Sequence, residues 1–353
     1  MDASTKPIAA HLLSWYDSHH RSLPWRAPPG APPPDPYRVW LSEVMLQQTT
    51  VAAVLPYFAK FTARWPTVQA LAAAPEADVL AAWAGLGYYA RARNLIACAK
   101  AVAASGGTFP ATEAELRELP GLGAYTAAAI AAIAFGERSA VVDANVERVV
   151  TRLYAIATPL PAARPAIRAR VDALTPAERS GDFAQAMMDL GATVCTARNP
   201  RCLLCPVADP CEGRQLGPDQ FPVKVPKRAK PVRHGQAFWI EQAGAVWLVR
   251  RADKGMLGAM RALPDDAWSA RGDGQGTAPL PGPWEAGGSV RHGFTHFDLD
   301  LQLMLYSGSD WARLETDCGE WWAIDRLEEA GLPTLFAKAA RLAMAVKDQG
   351  EDQ

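Results

Sequence analysis

The chain has 353 residues, of which 49% are apolar and 21% are charged. This length exceeds that of a usual single domain, so we expect two domains, and the composition excludes a wholly disordered or fibrous protein. No run of about 18 uncharged apolar residues is present, which argues against a membrane-spanning helix. The first residues lack the apolar stretch of a secretory signal, so we expect a cytoplasmic protein.

The charge is distributed unevenly along the chain. Residues 1–234 contain 25 Lys and Arg against 19 Asp and Glu, whereas residues 235–353 contain 11 against 18. A basic N-terminal part suits an anionic partner, whereas the acidic remainder does not suit a second extensive phosphate surface. Ordinary variation of surface charge explains the same numbers equally well.

The N-terminal part, residues 1–211, is predicted to be mostly helical. Alanine is abundant there, and apolar residues recur at helical spacing within residues 8–16, 39–54, 89–104 and 124–135. Residues 27–36 contain six prolines and therefore predict a loop.

A basic segment, residues 221–234, separates the two parts of the chain. It has three prolines and no acid, and its basic residues are Lys224, Lys227, Arg228, Lys230 and Arg233. This composition predicts an interdomain linker, either a plain solvated tether or one that also contacts phosphate.

Beyond the linker the pattern changes from helical spacing to alternation. Residues 238–240 and 246–249 flank Ala243 and Gly244, which predicts a β-hairpin. Apolar and polar residues alternate across residues 297–305, which predicts a strand, and residues 335–346 have helical spacing. We therefore expect a helical domain over residues 1–220, the linker 221–234 and an α+β domain over residues 235–353.

Four of the six cysteines lie in one short window, and Cys98 and Cys318 are isolated. The clustered residues are Cys195, Cys202, Cys205 and Cys211. Zinc sites usually pair two short cysteine knuckles, and only one is present here, so the spacing favours a [4Fe–4S] cluster over zinc. The loop offers no open ligand position, and we expect the cluster to be structural or redox-tuning.

A short glycine-containing segment, residues 119–126, lies between two helical stretches, residues 113–119 and 124–135. Gly121 and Gly123 permit a tight turn, and the unpaired N–H groups of the following helix can hold a phosphate. The pattern is typical of a helix-hairpin-helix, although an ordinary helix–helix connection would also fit it.

Two carboxyl groups stand out. Glu43 has apolar neighbours at helical spacing, which predicts a raised pKa and a proton held near neutral pH. Asp143 directly precedes a helix whose apolar face comprises residues 146, 149, 150 and 153. Taken alone, Glu43 could be a solvated helix residue and Asp143 a simple N-cap.

The order of these features resembles the endonuclease III superfamily of DNA glycosylases. Within that superfamily, residues 40–49, 85–94 and 185–191 resemble the adenine DNA glycosylase family. The resemblance is dense over residues 8–215 and thinner over residues 235–346. It implies a mostly α helix-hairpin-helix glycosylase domain with a [4Fe–4S] loop, followed by a C-terminal α+β Nudix-like domain.

The resemblance also implies an activity. A monofunctional enzyme of base excision repair would hydrolyse the N-glycosidic bond of adenine opposite 8-oxoguanine or guanine in double-stranded DNA. Glu43 would be the general acid and Asp143 would stabilise an oxocarbenium-like intermediate, while Tyr125 and Asn145 would position water and Asp143. We expect a monomer in the cytoplasm, associated with a bacterial nucleoid.

Further positions are implied to contact DNA. Arg26 would line the adenine pocket, Gln48 and Tyr88 would fill the gap left by the flipped base with Leu86 nearby, and Tyr89 would pack in the core. Thr295 and His296 match a lesion-recognition loop. The full set of expected DNA or base contacts is Arg26, Gln48, Thr49, Leu86, Tyr88, Gly121, Gly123, Thr295 and His296.

The sequence departs from related patterns at three places. Tyr125 stands where lyases of the superfamily carry a lysine, so no Schiff-base step is expected. Residues 255–260 lack the family's aromatic stretch, so packing there should differ. Residues 327–332 resemble only the end of a Nudix box, so we expect a solvated helix end capped by Gly331 and no pyrophosphatase activity. A glycosylase/lyase and a redox-sensing DNA-binding module remain the alternatives.

Overall fold

The computed structural model describes residues 5–225, 229–252, 256–314 and 319–351. Its helices are α1 (Thr5–His19), α2 (Pro36–Leu46), α3 (Val51–Arg64), α4 (Val68–Ala73), α5 (Glu76–Trp83), α6 (Ala90–Ala104), α7 (Glu113–Leu116), α8 (Ala124–Phe135), α9 (Ala144–Leu153), α10 (Arg164–Leu174), α11 (Ser180–Thr193), α12 (Glu212–Leu216) and α13 (Thr334–Glu351). Its strands are β1 (Val232–Trp239), β2 (Glu241–Gln242), β3 (Ala245–Arg250), β4 (Arg261–Ala262), β5 (Trp284–Gly293), β6 (Asp298–Tyr306) and β7 (Gly319–Ala323). Lys227, Arg228, Gly255 and Cys318 lie outside the described residues. No helix in the described ranges combines the length and apolarity needed to cross a membrane.

The chain divides into two compact units. One comprises Met1–Ala73 and Ala97–Lys227, and the other comprises Ala74–Ile96 and Arg228–Gln353. The division near residue 228 falls within the predicted linker, but the grouping of residues 74–96 with the C-terminal part is not visible in the sequence. Within this second unit, Arg93 Nη1 donates a hydrogen bond of 2.8 Å to the carbonyl of Gly258.

Helix α8 is largely buried within the N-terminal unit. Its sequence is rich in alanine, and every residue from Thr126 to Ala134 is buried. Helices α2, α7 and α11 contact α8 directly, and α11 also contacts α9. Because its side chains are small, neighbouring backbones approach closely: a Cβ at Gly181 of α11 would lie 2.5 Å from the carbonyl oxygen of Ala132.

The helix predicted over residues 39–54 is interrupted, and this part of the prediction was wrong. Helix α2 ends at Leu46 and α3 begins at Val51. Gln48 has a left-handed backbone (φ 58°), and the Thr50 hydroxyl accepts a hydrogen bond of 3.3 Å from the N–H of Ala53. A polar run that caps a new helix competes with continuation of the old one. The helix predicted over residues 113–119 similarly stops at Leu116.

The C-terminal unit contains two sheets. In one, β6 pairs parallel with β1 and antiparallel with β5; in the other, β3 pairs with β2, β4 and β7. The alternation predicted for residues 297–305 is confirmed, because Leu299, Leu301 and Leu303 all lie in the core. The predicted cap at Gly331 is also confirmed: Gly331 has φ 69° and ends the 3₁₀ helix Ile324–Ala330.

The predicted hairpin is present, with a different first strand. Ala243 and Gly244 have φ values of 48° and 74°, and they connect β2 to β3. Residues 238–239 instead belong to β1, whose partner is β6. The apolar residues at the end of β1 are buried, which an exposed hairpin strand would not allow.

Residues at both ends of the predicted linker 221–234 contact the rest of their own unit. Phe221 is buried, and Val223 accepts a backbone hydrogen bond of 2.9 Å from Leu160. At the other end, Val232 already pairs with Asp298 as the first residue of β1. Residues 226–228 lie outside the described residues.

Candidate active site

Glu43 lies in a nearly dry environment. It occupies the last two turns of α2 and is 5% exposed. Burial raises the pKa of Glu43 to about 7, although the hydrogen bond from Tyr125 and the positive charge of Arg26 oppose this rise. A substantial fraction of this carboxyl group is therefore protonated at neutral pH, as its apolar neighbours predict.

Tyr125 holds Glu43 in place. Its hydroxyl donates a hydrogen bond of 2.6 Å to Oε2 of Glu43. Burial, together with the charges of Glu43 and Asp143, raises the pKa of Tyr125 well above its usual value, so the phenol keeps its proton. The resemblance implied that Tyr125, together with Asn145, positions water and Asp143, and the structure adds a hydrogen bond from Tyr125 to Glu43.

Asp143 is the N-cap of α9 and belongs to the same site. Its Oδ1 accepts a hydrogen bond of 2.7 Å from the N–H of Val146, and its Oδ2 accepts one of 2.9 Å from Nδ2 of Asn145. Burial raises the pKa of Asp143, but these hydrogen bonds and the charge of Arg148 lower it. The charge of Asp143 in turn raises the pKa values of Glu43 and Tyr125.

Arg148 fixes the side chain of Asn145 through its amide oxygen, and sequence reasoning missed this residue. Its Nη2 donates to Oδ1 of Asn145 over 2.8 Å and to the Gly191 carbonyl over 2.6 Å. Its Nε donates to the carbonyl of Cys195 over 2.8 Å. With Oδ1 held by Arg148, the amide nitrogen of Asn145 is directed to Asp143, so a chain of hydrogen bonds connects the cysteine loop with the site.

Gly191 of α11 controls the position of Asn145. A Cβ at residue 191 would lie 2.6 Å from the Cβ of Asn145, which is too close for any real side chain. Residues 185–191 resemble the glycosylase family in sequence, and this close approach gives a physical reason for glycine at the end of that segment.

Replacing Gly191 by alanine should therefore displace Asn145. We expect the rate of base excision to fall by up to about 100-fold, because a displacement of about 1 Å in a catalytic group has that effect. Overpacking should also lower the free energy of unfolding by roughly 1–3 kcal/mol. Single-turnover kinetics and thermal unfolding measure the two effects. Gly272→Ala is the matched control, since a Cβ there meets nothing within 4 Å. Equal rates in both variants would contradict this role of Gly191.

Arg26 is held by Asp189, a second residue that sequence reasoning did not single out. Asp189 is fully buried, and its two oxygens accept hydrogen bonds of 2.9 and 2.8 Å from Arg26 Nη1. Arg21 Nε donates to the same carboxylate over 2.6 Å. The positive charge of Arg26 lowers the pKa values of Glu43 and Tyr125. The ion pair with Asp189 therefore keeps a cation next to Glu43.

The glycine hairpin has the predicted geometry for a tight turn before a helix. Gly121 has a left-handed backbone (φ 76°), Leu122 is buried, and Gly123 precedes the first residue of α8. Nearby, Gln47 Nε2 donates over 3.1 Å to the hydroxyl of Thr126 in the first turn of α8. Gln48 is exposed and Thr49 is half-buried on the turn between α2 and α3.

The four clustered cysteines line one cavity. Cys195, Cys202, Cys205 and Cys211 share it with Arg152, and none of the four forms a disulfide. Within the described ranges, no three His, Cys, Asp or Glu side chains are close enough to hold a single metal ion. Four thiols spread around a common cavity fit a [4Fe–4S] cluster, in which each iron takes one thiolate.

Arg152 connects the cysteine loop to the end of α9. It is 2% exposed, and its Nη1 donates to the carbonyl of Thr196 over 2.7 Å and to Sγ of Cys195 over 3.3 Å. Its Nε donates to the carbonyl of Pro218 over 2.8 Å. A guanidinium with five donors can satisfy several loop carbonyls at once, so this residue orders the loop around the cavity.

In the second unit, Tyr88 and Leu86 have opposite environments. Tyr88 is 48% exposed with φ 50°, and the guanidinium of Arg91 lies 5.3 Å from its ring centre. Leu86 is 6% exposed, and its carbonyl accepts a hydrogen bond from Arg91. The ring of Tyr88 is therefore accessible from outside the protein, whereas the side chain of Leu86 is not. Tyr89 is buried, as predicted.

Thr295 and His296 are both exposed and lie in residues 294–297, the recognition turn, which connects β5 to β6. The turn is closed by a hydrogen bond of 2.8 Å from the N–H of Phe294 to the carbonyl of Phe297.

Residues 255–260 lack the aromatic stretch of the family. Met256 and Leu257 pack against the core, and the carbonyl of Gly258 accepts a hydrogen bond from Arg93. Aliphatic packing therefore replaces the aromatic residues in this segment.

Sequence comparisons identify three families along the chain. Residues 41–170 match the HhH-GPD superfamily base excision DNA repair protein, residues 236–342 match the NUDIX domain, and residues 195–211 match the iron-sulfur binding domain of endonuclease III. The predicted fold class and the predicted [4Fe–4S] cofactor are thereby confirmed.

An adenine DNA glycosylase from Homo sapiens is 34% identical to this chain over 96% of this chain and 74% of that protein. The chain belongs to the adenine DNA glycosylase family. An adenine DNA glycosylase from Mycobacterium tuberculosis is 44% identical, over 65% of this chain and 72% of its own length. Among solved structures, a thermostable thymine-DNA glycosylase has a TM-score of 0.54 and 28% identity, and it covers 61% of this chain and 100% of its own. As a family member, the chain is an enzyme that acts on N-glycosyl bonds.

Proposed function

We propose that this chain is a monofunctional glycosylase that removes adenine from mispairs with 8-oxoguanine or guanine in duplex DNA. One observation carries the proposal: a buried acid, Glu43, and a hydrogen-bonded carboxylate, Asp143, share one site and differ in their surroundings. Two carboxyl groups, one protonated and one ionised, are the usual means of cleaving a glycosidic bond.

Glu43 supplies the proton that makes adenine a leaving group. Adenine departs poorly as an anion, so the protonated Glu43 transfers its proton to the base at N7. The bond between C1′ and N9 then breaks, and its electron pair goes to the neutral adenine. With a pKa of about 7, Glu43 is acidic enough to give up this proton and basic enough to hold it until then.

Asp143 stabilises the positive charge that remains on the sugar. Its oxygens are fixed by Val146 and Asn145, so the negative charge needs no reorganisation as the bond breaks. Water attacks C1′ and gives a proton to the Glu43 carboxylate, which restores the acid. The products are free adenine and an abasic site.

The adenine must leave the helix before Glu43 can reach it, and flipping costs roughly a few kcal/mol. The exposed ring of Tyr88 can fill the gap, and the N–H groups at the start of α8 can hold a phosphate. Thr295 and His296, exposed on the recognition turn, supply a hydroxyl and an imidazole for hydrogen bonds to the partner base.

A duplex with adenine opposite 8-oxoguanine tests the proposal. We expect strand cleavage at the adenine only after alkali, because the enzyme leaves an abasic site and has Tyr125 where lyases carry lysine. A duplex with cytosine opposite 8-oxoguanine should remain intact. The absence of alkali-labile sites would refute the proposal, and a borohydride-trapped protein–DNA adduct would favour a glycosylase/lyase instead.

A further inference from the structure

The recognition turn is held from inside by aromatic packing. The ring of Phe294 stacks on that of Phe297 with centroids 4.7 Å apart and an angle of 18° between the planes. The ring of His292 lies edge-on to Phe294 with centroids 4.7 Å apart, and the ring of Trp268 is tilted by 39° to that of Phe294 with centroids 5.8 Å apart. Phe297 is 1% exposed, so the base of the turn is part of the core.

The turn is also held from outside by a residue of the basic linker. Lys230 Nζ donates a hydrogen bond of 2.6 Å to the carbonyl oxygen of Phe294 and lies 3.9 Å from Oδ1 of Asp298. These two partners flank the turn on either side. The backbone next to Lys230 is fixed too, because the carbonyl of Pro231 accepts a hydrogen bond of 3.0 Å from the N–H of Asp298.

We propose that Lys230 is a positioning residue that fixes the recognition turn and thereby sets the preference for 8-oxoguanine over guanine opposite adenine. The inference rests on the proposed function for the identity of the partner base. The linker sequence alone suggested either a solvated tether or a phosphate contact, whereas the ammonium group here binds a protein carbonyl.

The hydrogen bond from Lys230 ends on a carbonyl of the recognition turn itself. The Phe294 carbonyl belongs to the peptide that leads into Thr295, so its fixation limits rotation of that peptide and keeps Thr295 and His296 in one orientation. Hydrogen bonds to a base edge discriminate only when the donors and acceptors are held in place. A more mobile recognition turn should still contact DNA, but it should distinguish 8-oxoguanine from guanine less well.

Lys230→Met tests the proposal, since methionine keeps most of the stem and removes the donor. Lys230→Arg should rescue the effect because guanidinium also donates. Lys224→Met is the matched control: Lys224 is an exposed lysine of the same linker whose side chain has no hydrogen bond or ion pair with the described part of the chain. All three variants are compared with the 353-residue wild-type chain containing its cluster.

We measure single-turnover rates on duplexes with adenine opposite 8-oxoguanine and opposite guanine. Lys230→Met should lower the ratio of the two rates by about tenfold, chiefly through the 8-oxoguanine duplex, while Lys230→Arg and Lys224→Met leave the ratio unchanged. The proposal would be overturned if Lys230→Met lowered the excision rate equally on both duplexes and bound undamaged DNA more weakly. A salt dependence of DNA affinity reduced by about one ion would then assign Lys230 to a phosphate contact.

Amide hydrogen exchange of residues 292–298 separates this inference from the proposed function. Exchange at these amides should be faster in Lys230→Met than in Lys224→Met, whatever base the turn contacts. Unchanged exchange would overturn the positioning role. If exchange is faster in Lys230→Met but the wild type excises adenine equally fast opposite 8-oxoguanine and guanine, the proposed partner base is wrong. The selectivity role of Lys230 is then overturned as well, and only its structural role remains.

Discussion

Glu43→Gln should lower the single-turnover rate of adenine excision by roughly 100- to 10,000-fold, the range associated with loss of a general acid. Glutamine has nearly the same shape and can still accept the hydrogen bond from Tyr125, so the site should keep its geometry. The buried position should tolerate the neutral amide, because Glu43 is itself partly neutral there. Affinity for the mismatched duplex should therefore remain close to that of the wild type.

Binding and catalysis must be measured on the same preparation to make this result informative. Gel-shift titration gives the affinity, and alkali treatment of a labelled strand gives the rate. A variant that cleaves at the wild-type rate would remove Glu43 from the mechanism. A variant that loses affinity and activity together would show that the carboxyl group supports the fold of the site.

Asp143→Asn should lower the excision rate by roughly 100- to 1,000-fold, because a fixed negative charge next to the developing cation is lost. Asparagine is as good an N-cap as aspartate, so α9 should keep its start. One new conflict arises: the amide nitrogen at residue 143 would face the donor of Asn145, whose oxygen is held by Arg148. We expect a loss of about 1 kcal/mol in the free energy of unfolding from this conflict.

Asp35→Asn is the matched control for this second prediction. Asp35 is the N-cap of α2 and accepts a hydrogen bond of 2.9 Å from the N–H of Tyr37, yet it lies outside the site. Both variants should stay folded, Asp143→Asn should unfold only a few degrees lower because of the loss of about 1 kcal/mol, and only Asp143→Asn should show the large fall in excision rate. If thermal unfolding showed that Asp143→Asn loses the fold while Asp35→Asn does not, Asp143 would be a structural residue.

The sequence was sufficient to predict the parts of the site that depend on local patterns. An acid followed by an apolar helix face predicts an N-cap, and Asp143 is one. A glutamate with apolar neighbours predicts a raised pKa, and burial produces it in Glu43. The cysteine spacing predicts a cluster loop, because its ligands are near one another in the chain.

The parts that could not be predicted depend on contacts between distant segments. Arg148 and Asp189 look like ordinary helix residues, and their roles become visible only when α9, α11 and the loop after α1 are packed together. Tyr125 and Glu43 are 82 residues apart, so no local pattern connects them. The hydrogen bond of Lys230 likewise depends on the parallel pairing of β1 with β6, which places the linker next to the recognition turn.

The dependence of the single-turnover excision rate on pH tests most directly whether a protonated Glu43 and an ionised Asp143 act together. Because the pKa of Glu43 is raised to about 7, the rate should be highest below this value and fall by about tenfold per unit above it. At the acid end the rate should fall as Asp143, whose pKa is raised by burial, takes up a proton. Glu43→Gln should abolish the alkaline decline in whatever activity remains. A wild-type rate that stays constant or increases from about pH 6 to about pH 9 would contradict the account.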